Sequence, residues 1–287
     1  MYESLALVFG IFLIAFLFAP VGMGGGMLFA PLLHYGADWP IDGRLLAVSL
    51  VLTWSVSIGS GLRHRKEGFY NDEATKSALK GAILGALLGV VIVNALGEDL
   101  DLVFKILSVM MLFWSIKKTW SKLRSTPTSA QANASGQDNS TQDSSLEETS
   151  IIDTSIQHTP LRIGAGIGGI LASVLGIGAG VIYVPVLQQY AKLEPRASIG
   201  SSLTIMMMVV PISIIALLST SPDGFIGTFS HQQWWFYFLP LFAFAGATTG
   251  AKFGIAYIST QNIMRVFVIL LFIILLRYLN DLSSLIA

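Results

Sequence analysis

The sequence predicts an all-α, polytopic membrane helix bundle of about eight transmembrane segments, built as two homologous four-segment repeats whose first helices are broken by glycine. Three observations carry this. Hydrophobic residues make up 53% of the 287 and charged residues only 12%, with a mean hydropathy of +0.69. That is more apolar surface than a soluble globule of this size can hide. The apolar residues fall in bilayer-length runs without strand-like alternation, and only helices or closed barrels satisfy every backbone group in lipid. Finally, a polar stretch divides the chain into two parts that carry matching motifs.

In chain order the expected segments are residues 5–36, 44–62, 74–96, 100–118, 161–187, 197–218, 232–258 and 261–279. Only Glu3, and no Lys or Arg, precedes the apolar run 5–19, so a cleaved secretory signal is not expected. Trp39, Trp114, Trp120, Trp234 and Trp235 stand near segment ends, as in an interfacial aromatic belt, whereas Trp54 falls mid-segment and is expected to pack between helices. Residues 121–160 hold 15 Ser or Thr among scattered Gln, Asn, Asp and Glu, a composition that cannot order itself by burial. They form an expected disordered, cytoplasmic linker between a membrane repeat at 1–120 and another at 161–287.

The two repeats share landmarks at identical spacing. Gly22, Gly24, Gly26 and Pro31 line up with Gly176, Gly178, Gly180 and Pro185, and Gly25 with Ala179. Farther on, Ser49 and Leu50 match Ser202 and Leu203, and Gly85 and Gly89 match Gly246 and Gly250. Internal duplication is a mark of secondary transporters, whose sites lie between the repeats.

Orientation follows from Lys and Arg in short loops. Arg63, Arg65, Lys66 and Lys76 follow the second segment, and Lys117, Lys118, Lys122 and Arg124 open the linker, while Glu98, Asp99 and Asp101 lie between. The basic loops are expected to be cytoplasmic. Four crossings per half would then give parallel repeats with cytoplasmic termini, unless the glycine breaks form re-entrant hairpins and change the parity.

The breaks are the most informative local feature. Gly costs about 1 kcal/mol in a helix interior relative to Ala, and Pro20 precedes the first cluster. A helix broken within a membrane is tolerated only where the exposed backbone is buried in protein or lines a wet cavity. A helix that restarts after such a break turns its unpaired N–H groups and positive dipole end toward that cavity, which suits an anion. The candidate substrate-binding residues are therefore Gly22, Gly24, Gly25, Gly26, Pro31 and Ser49 in the first half, with Gly176, Gly178, Gly180, Pro185 and Ser202 in the second. The competing reading is that the glycines only permit close helix packing. Gly25→Ala or Gly178→Ala separates the two: stability held with flux lost for a site, both lost for packing.

Other polar residues weigh less. Thr53, Ser55 and Ser57, with Ser198, Ser201 and Thr204, put hydroxyls at membrane depth, where bonding to their own backbone is the commoner role. Lys105 and Arg265 occupy corresponding places and are expected to snorkel to the interface rather than meet a substrate. Gly164, Gly166 and Gly169 fit a dinucleotide-binding pattern, but no strand precedes them and they lie in an apolar segment. Cysteine is absent and His34, His64, His158 and His231 are scattered without metal spacing, so neither an enzyme nor a cofactor or metal site is expected.

The duplicated glycine clusters, the Ser-Leu pairs and the Gly85 to Gly89 and Gly246 to Gly250 repeats together resemble the TauE/SafE family of sulfite and sulfonate exporters, also called the toluene-sulfonate uptake permease family. The likeness covers the whole chain apart from the long Ser/Thr-rich linker. It implies an inner-membrane permease for small sulfur-containing or organic anions, without ATP hydrolysis in the chain. The expected partners are a small anionic substrate and the lipid bilayer. A net charge of zero argues against nucleic acid, and a homo-oligomer stays open. A passive anion channel, or a membrane scaffold whose linker recruits a partner, are the alternatives to a secondary transporter. If the linker is as independent as its composition implies, replacing 125–157 with Gly/Ser of equal length leaves the melting temperature unchanged in a thermal unfolding assay.

Overall fold

The computed structural model describes residues 2–21, 25–124, 156–221, 234–257 and 260–286. Among these, every regular element is helical. The α-helices are α1 (Tyr2–Phe18), α2 (Gly26–Ala37), α3 (Gly43–Lys66), α4 (Asp72–Leu96), α5 (Leu100–Arg124), α6 (His158–Leu175), α7 (Gly180–Tyr190), α8 (Pro195–Thr220), α9 (Leu239–Tyr257) and α10 (Thr260–Ile286). Three helical stretches are long and apolar enough to cross a membrane: α3, α8 and Asp72–Lys117, which contains α4 and most of α5. Leu84, Leu88 and Val91 of α4, Met110 and Phe113 of α5, and Ile269, Phe272 and Ile273 of α10 are exposed. So large an apolar face is stable only against lipid or another protein.

Both long segments break where glycine interrupts them, but the chain then folds back instead of continuing across. A methyl group on Gly10 would lie 3.2 Å from Leu32, and one on Gly36 would lie 3.8 Å from Leu7, so α2 runs antiparallel to α1. The second half repeats the arrangement. A methyl on Gly164 would lie 3.0 Å from Val186, and Gln157 N–H donates to the Tyr190 carbonyl at 2.9 Å.

This fold-back corrects the expected topology. Each hairpin returns the chain to the end it came from, and α3–α5, or α8–α10, then run one after another between the two ends of the bundle. The start of α1 and the end of α10 therefore stand opposite the linker ends, not beside them as expected. At one end, Asp281 near the end of α10 meets Tyr35 of α2 and Lys105 of α5. At the other, His158 at the start of α6 meets Ser77 of α4, and Asn71 N–H donates to Ser201.

The linker boundaries also shift. Residues 121–124 continue α5. Residues 158–160 begin α6, with Pro160 in the first turn, where its missing N–H costs nothing. Ile156 packs against the core and Gln157 bonds to Tyr190, so a dispensable stretch ends before 156. The rest of the expected linker lies outside the described residues, as does the expected start of the seventh segment at 232–233.

The packing pairs exchange between halves. α4 packs on α6 and α9 on α1; α3 packs on α9 and α8 on α4; α3 meets α8, and α5 meets α10. Glycines set the spacing. A methyl on Gly85 or Gly89 would overlap or crowd the carbonyls of Gly166 and Ile170, while one on Gly246 or Gly250 would do the same to Phe12 and Phe16. Phe12 and Phe16 hold the first-half positions that Gly166 and Ile170 hold in the second. The indole N–H of Trp54 donates to the Met207 carbonyl at 3.0 Å, which fixes α3 on α8.

The topology has a clean test because the chain contains no Cys. With basic loops inside, a single Cys at Asp99 is expected to react with a membrane-impermeant thiol reagent in intact cells. One at Ser140 is expected to stay unlabelled until the cells are opened.

Candidate functional site

The two breaks meet inside the bundle. Gly26, the first residue of α2, lies so close to Ile177 that a methyl there would overlap the Ile177 carbonyl and Cα. Residues 25–31 and 172–180 are buried. Both half-helices start from a left-handed residue, Gly25 at φ 68° and Ala179 at φ 57°, and neither start carries a side-chain cap. Ala in this conformation costs about 1–2 kcal/mol. By contrast, Asp42 caps α3 and Asn71 caps α4, each accepting from backbone N–H groups of the first turn.

The consequence is a pair of buried, uncapped helix starts. Leu28 N–H turns back to Gly25 at 3.0 Å, and those of Ile182 and Tyr183 turn to Ala179 at 2.9 Å. The N–H groups of Gly26, Met27, Gly180 and Val181 have no acceptor within their own helices. Their dipole ends carry partial positive charge into a region that holds no carboxylate among the residues contacting the glycines.

Of the matched serines, Ser49 is committed. Its hydroxyl donates to the Gly176 carbonyl at 2.7 Å, satisfying the end of α6 from the opposite half. Ser202 is wholly buried, and its hydroxyl has no hydrogen-bond partner. The neighbouring hydroxyls take the commoner role: Thr53, Ser55, Ser57 and Thr204 each donate to the carbonyl four residues back. Ser198 donates to Glu194 and Leu193, and Ser201 accepts from Asn71.

The remaining candidates divide. Gly178 lies against Thr53 and Met206, which hold corresponding places on α3 and α8. Gly180 opens α7, while Pro185 sits within that helix away from its start. Pro31 is buried in α2 and lines a cavity of ≈ 10 Å³ with Met27, Ile177, Phe104, Ser108 and Tyr278. Gly22 and Gly24 lie outside the described residues. Sequence reading missed the contact between Gly26 and Ile177. No local signal marks it, because the partners lie in different halves.

Two expectations fail here. Lys105 does not snorkel: it is 6% exposed and paired with Asp101 at 2.9 Å, whereas Arg265 is exposed. Nor can Ala substitution hold stability at the breaks. Gly25 and Gly178 have φ near +70°, and a methyl on Gly178 would overlap Thr53, so both variants are strained whichever reading holds.

Buried half-helices starting from breaks within an apolar, lipid-facing bundle define a membrane protein of the transporter class. The sulfite exporter TauE/SafE profile matches residues 7–278, and the chain belongs to that family of membrane transporters. No curated protein and no solved structure matches it.

The contact between the breaks sets an expected outcome. Gly26→Ala should destabilise the protein by about 1–3 kcal/mol through forced separation of the breaks, read as a lower denaturation midpoint. Ser49→Ala should cost a similar amount by leaving the buried Gly176 carbonyl unpaired, about 1–3 kcal/mol.

Proposed function

We propose that this protein is a secondary transporter of small anions, sulfite, sulfonates or similar sulfur-containing or organic anions, in a bacterial-type cytoplasmic membrane. The observation that carries the reading is the meeting of two buried, uncapped half-helix starts. Backbone donors and dipole ends converge there, with no carboxylate among the described residues that contact the glycines. Ser202 adds a buried hydroxyl with no partner.

The halves act as inverted repeats. In support, the main cross-half packings come in matching pairs, down to Gly85 on Gly166 against Gly246 on Phe12. A hairpin plus three crossings inverts one half relative to the other, so the breaks meet about a pseudo-two-fold axis in the membrane plane. By the same correspondence Ser202 is the counterpart of Ser49. All 17 Lys and Arg are among the described residues, and only Arg44, Lys105 and Arg277 lie toward the end opposite the linker. This supports a cytoplasmic linker, with the start of α1 and the end of α10 outside.

Closure of the bundle favours a transporter over an open channel. The cavity beside the breaks, ≈ 10 Å³, has room for about one water. For an anion to enter that cavity the helices around it must part, the condition for alternating access.

Ser202→Ala tests the site without the strain of the glycine variants. Removing an unpartnered buried hydroxyl should leave stability unchanged or raise it by about 1 kcal/mol. Saturable, gradient-driven sulfite flux in proteoliposomes should fall about tenfold if that hydroxyl binds the anion. Wild-type flux in this variant would count against the assignment.

A further inference from the structure

The seam between α2, α5 and α10 holds a charged network at the end of the bundle away from the linker. Lys105 of α5, whose side chain is 8% exposed, lies 2.9 Å from an Asp101 oxygen and 3.6 Å from an Asp281 oxygen of α10. Tyr35 of α2 donates to the same Asp281 oxygen at 3.0 Å, and the Arg277 guanidinium sits 5.0 Å from the centre of the Tyr35 ring. Lys105, Asp101, Asp281 and Arg277 together are neutral. An ammonium buried at such a depth is costly unless oxygens surround it.

The network stands beside a small cavity that extends to the breaks. Phe104 and Ser108, on either side of Lys105 along α5, line the ≈ 10 Å³ cavity with Tyr278. The cavity's inner wall is Met27 and Ile177, residues of the two breaks.

The network is also one-ended. Asp101, Lys105 and Tyr35 correspond to Gln261, Arg265 and Gln189 of the second half, and Asp281 to Ser121 of the first. A brace required by the duplicated fold would be present at both ends. The carboxylates therefore serve something that only this end needs.

We propose that Lys105 is a second anion-binding residue, on the route between the outer face and the breaks, with Asp101 and Asp281 as its resident ligands. An arriving oxyanion offers the same kind of oxygen ligands and exchanges with them, which moves Asp281 and, through Tyr35, the half-helix α2. The inference rests on the anion-transport reading above.

The test is sulfite transport by proteoliposomes of uniform orientation, with KM measured separately from each face. Lys105→Gln is expected to raise the KM from the outer face about tenfold, while that from the linker face stays within about twofold. Lys105→Arg restores the outer value. Asp281→Asn, which removes a competing ligand, lowers the outer KM. Changes that are equal at the two faces, or unaltered KM values with only a lower melting temperature, overturn the proposal. Should Lys105→Gln fail to fold, Asp281→Asn decides: a lower outer KM supports the proposal, and an unchanged or higher one overturns it. A wild-type protein that carries no sulfite overturns the transport reading and this one with it, whereas wild-type transport with unaltered variants overturns this one alone.

Discussion

Everything in the bundle depends on one constraint: backbone groups exposed by breaking a helix in lipid must be satisfied by protein, water or ligand. The chain breaks two helices and places the breaks against each other, Gly26 on the Ile177 carbonyl, so that each is shielded by the opposite half. Ser49 takes one orphan carbonyl, that of Gly176. Ser60 takes another, donating to Ala19 at 2.7 Å where α1 gives way to its short 3-10 turn. The Ala19 and Gly176 carbonyls are thus paired from α3, while the starts of α2 and α7 carry no side-chain cap. On the function proposed above, that asymmetry is what would suit the junction to an anion.

Small residues let the rest of the bundle approach this junction. The glycines of α4 lie on the backbone of α6, and those of α9 on the backbone of α1, with no side chain between. In a membrane such contact supplies the dispersion and polar-backbone complementarity that hydrophobic burial cannot. The same contacts hold the outgoing arm of each hairpin rigid against the opposite half. The shorter arms, α2 and α7, are left as the elements whose displacement would open the junction.

Much of this was legible in the sequence. The glycine clusters announce interrupted helices, and their duplication announces two halves, because the cost of Gly in a helix and the register of Pro31 and Pro185 are local properties. The direction taken after each break was not legible. Glycine frees the backbone to turn but does not say which way it turns, and the fold-back depends on pairs such as Gly10 with Leu32 that only packing selects. The parity of crossings, and with it the end of the bundle occupied by the start of α1 and the end of α10, hung on the re-entrant alternative for that reason. Lys105 was misread. Its near neighbour Asp101 is visible at helical spacing, but Asp281 comes from the far end of the chain, and a lysine beside a segment start reads as snorkelling until its second carboxylate is seen.

Locating a bound anion tests the central claim most directly. Selenite matches sulfite in charge and shape and scatters anomalously, so its position in an experimental structure of the purified protein can be read without ambiguity. The account predicts a selenium peak within hydrogen-bonding reach of the amides that open α2 and α7, beside Ser202. A saturating concentration that places selenite elsewhere in the bundle, with the junction of the breaks empty, would contradict it.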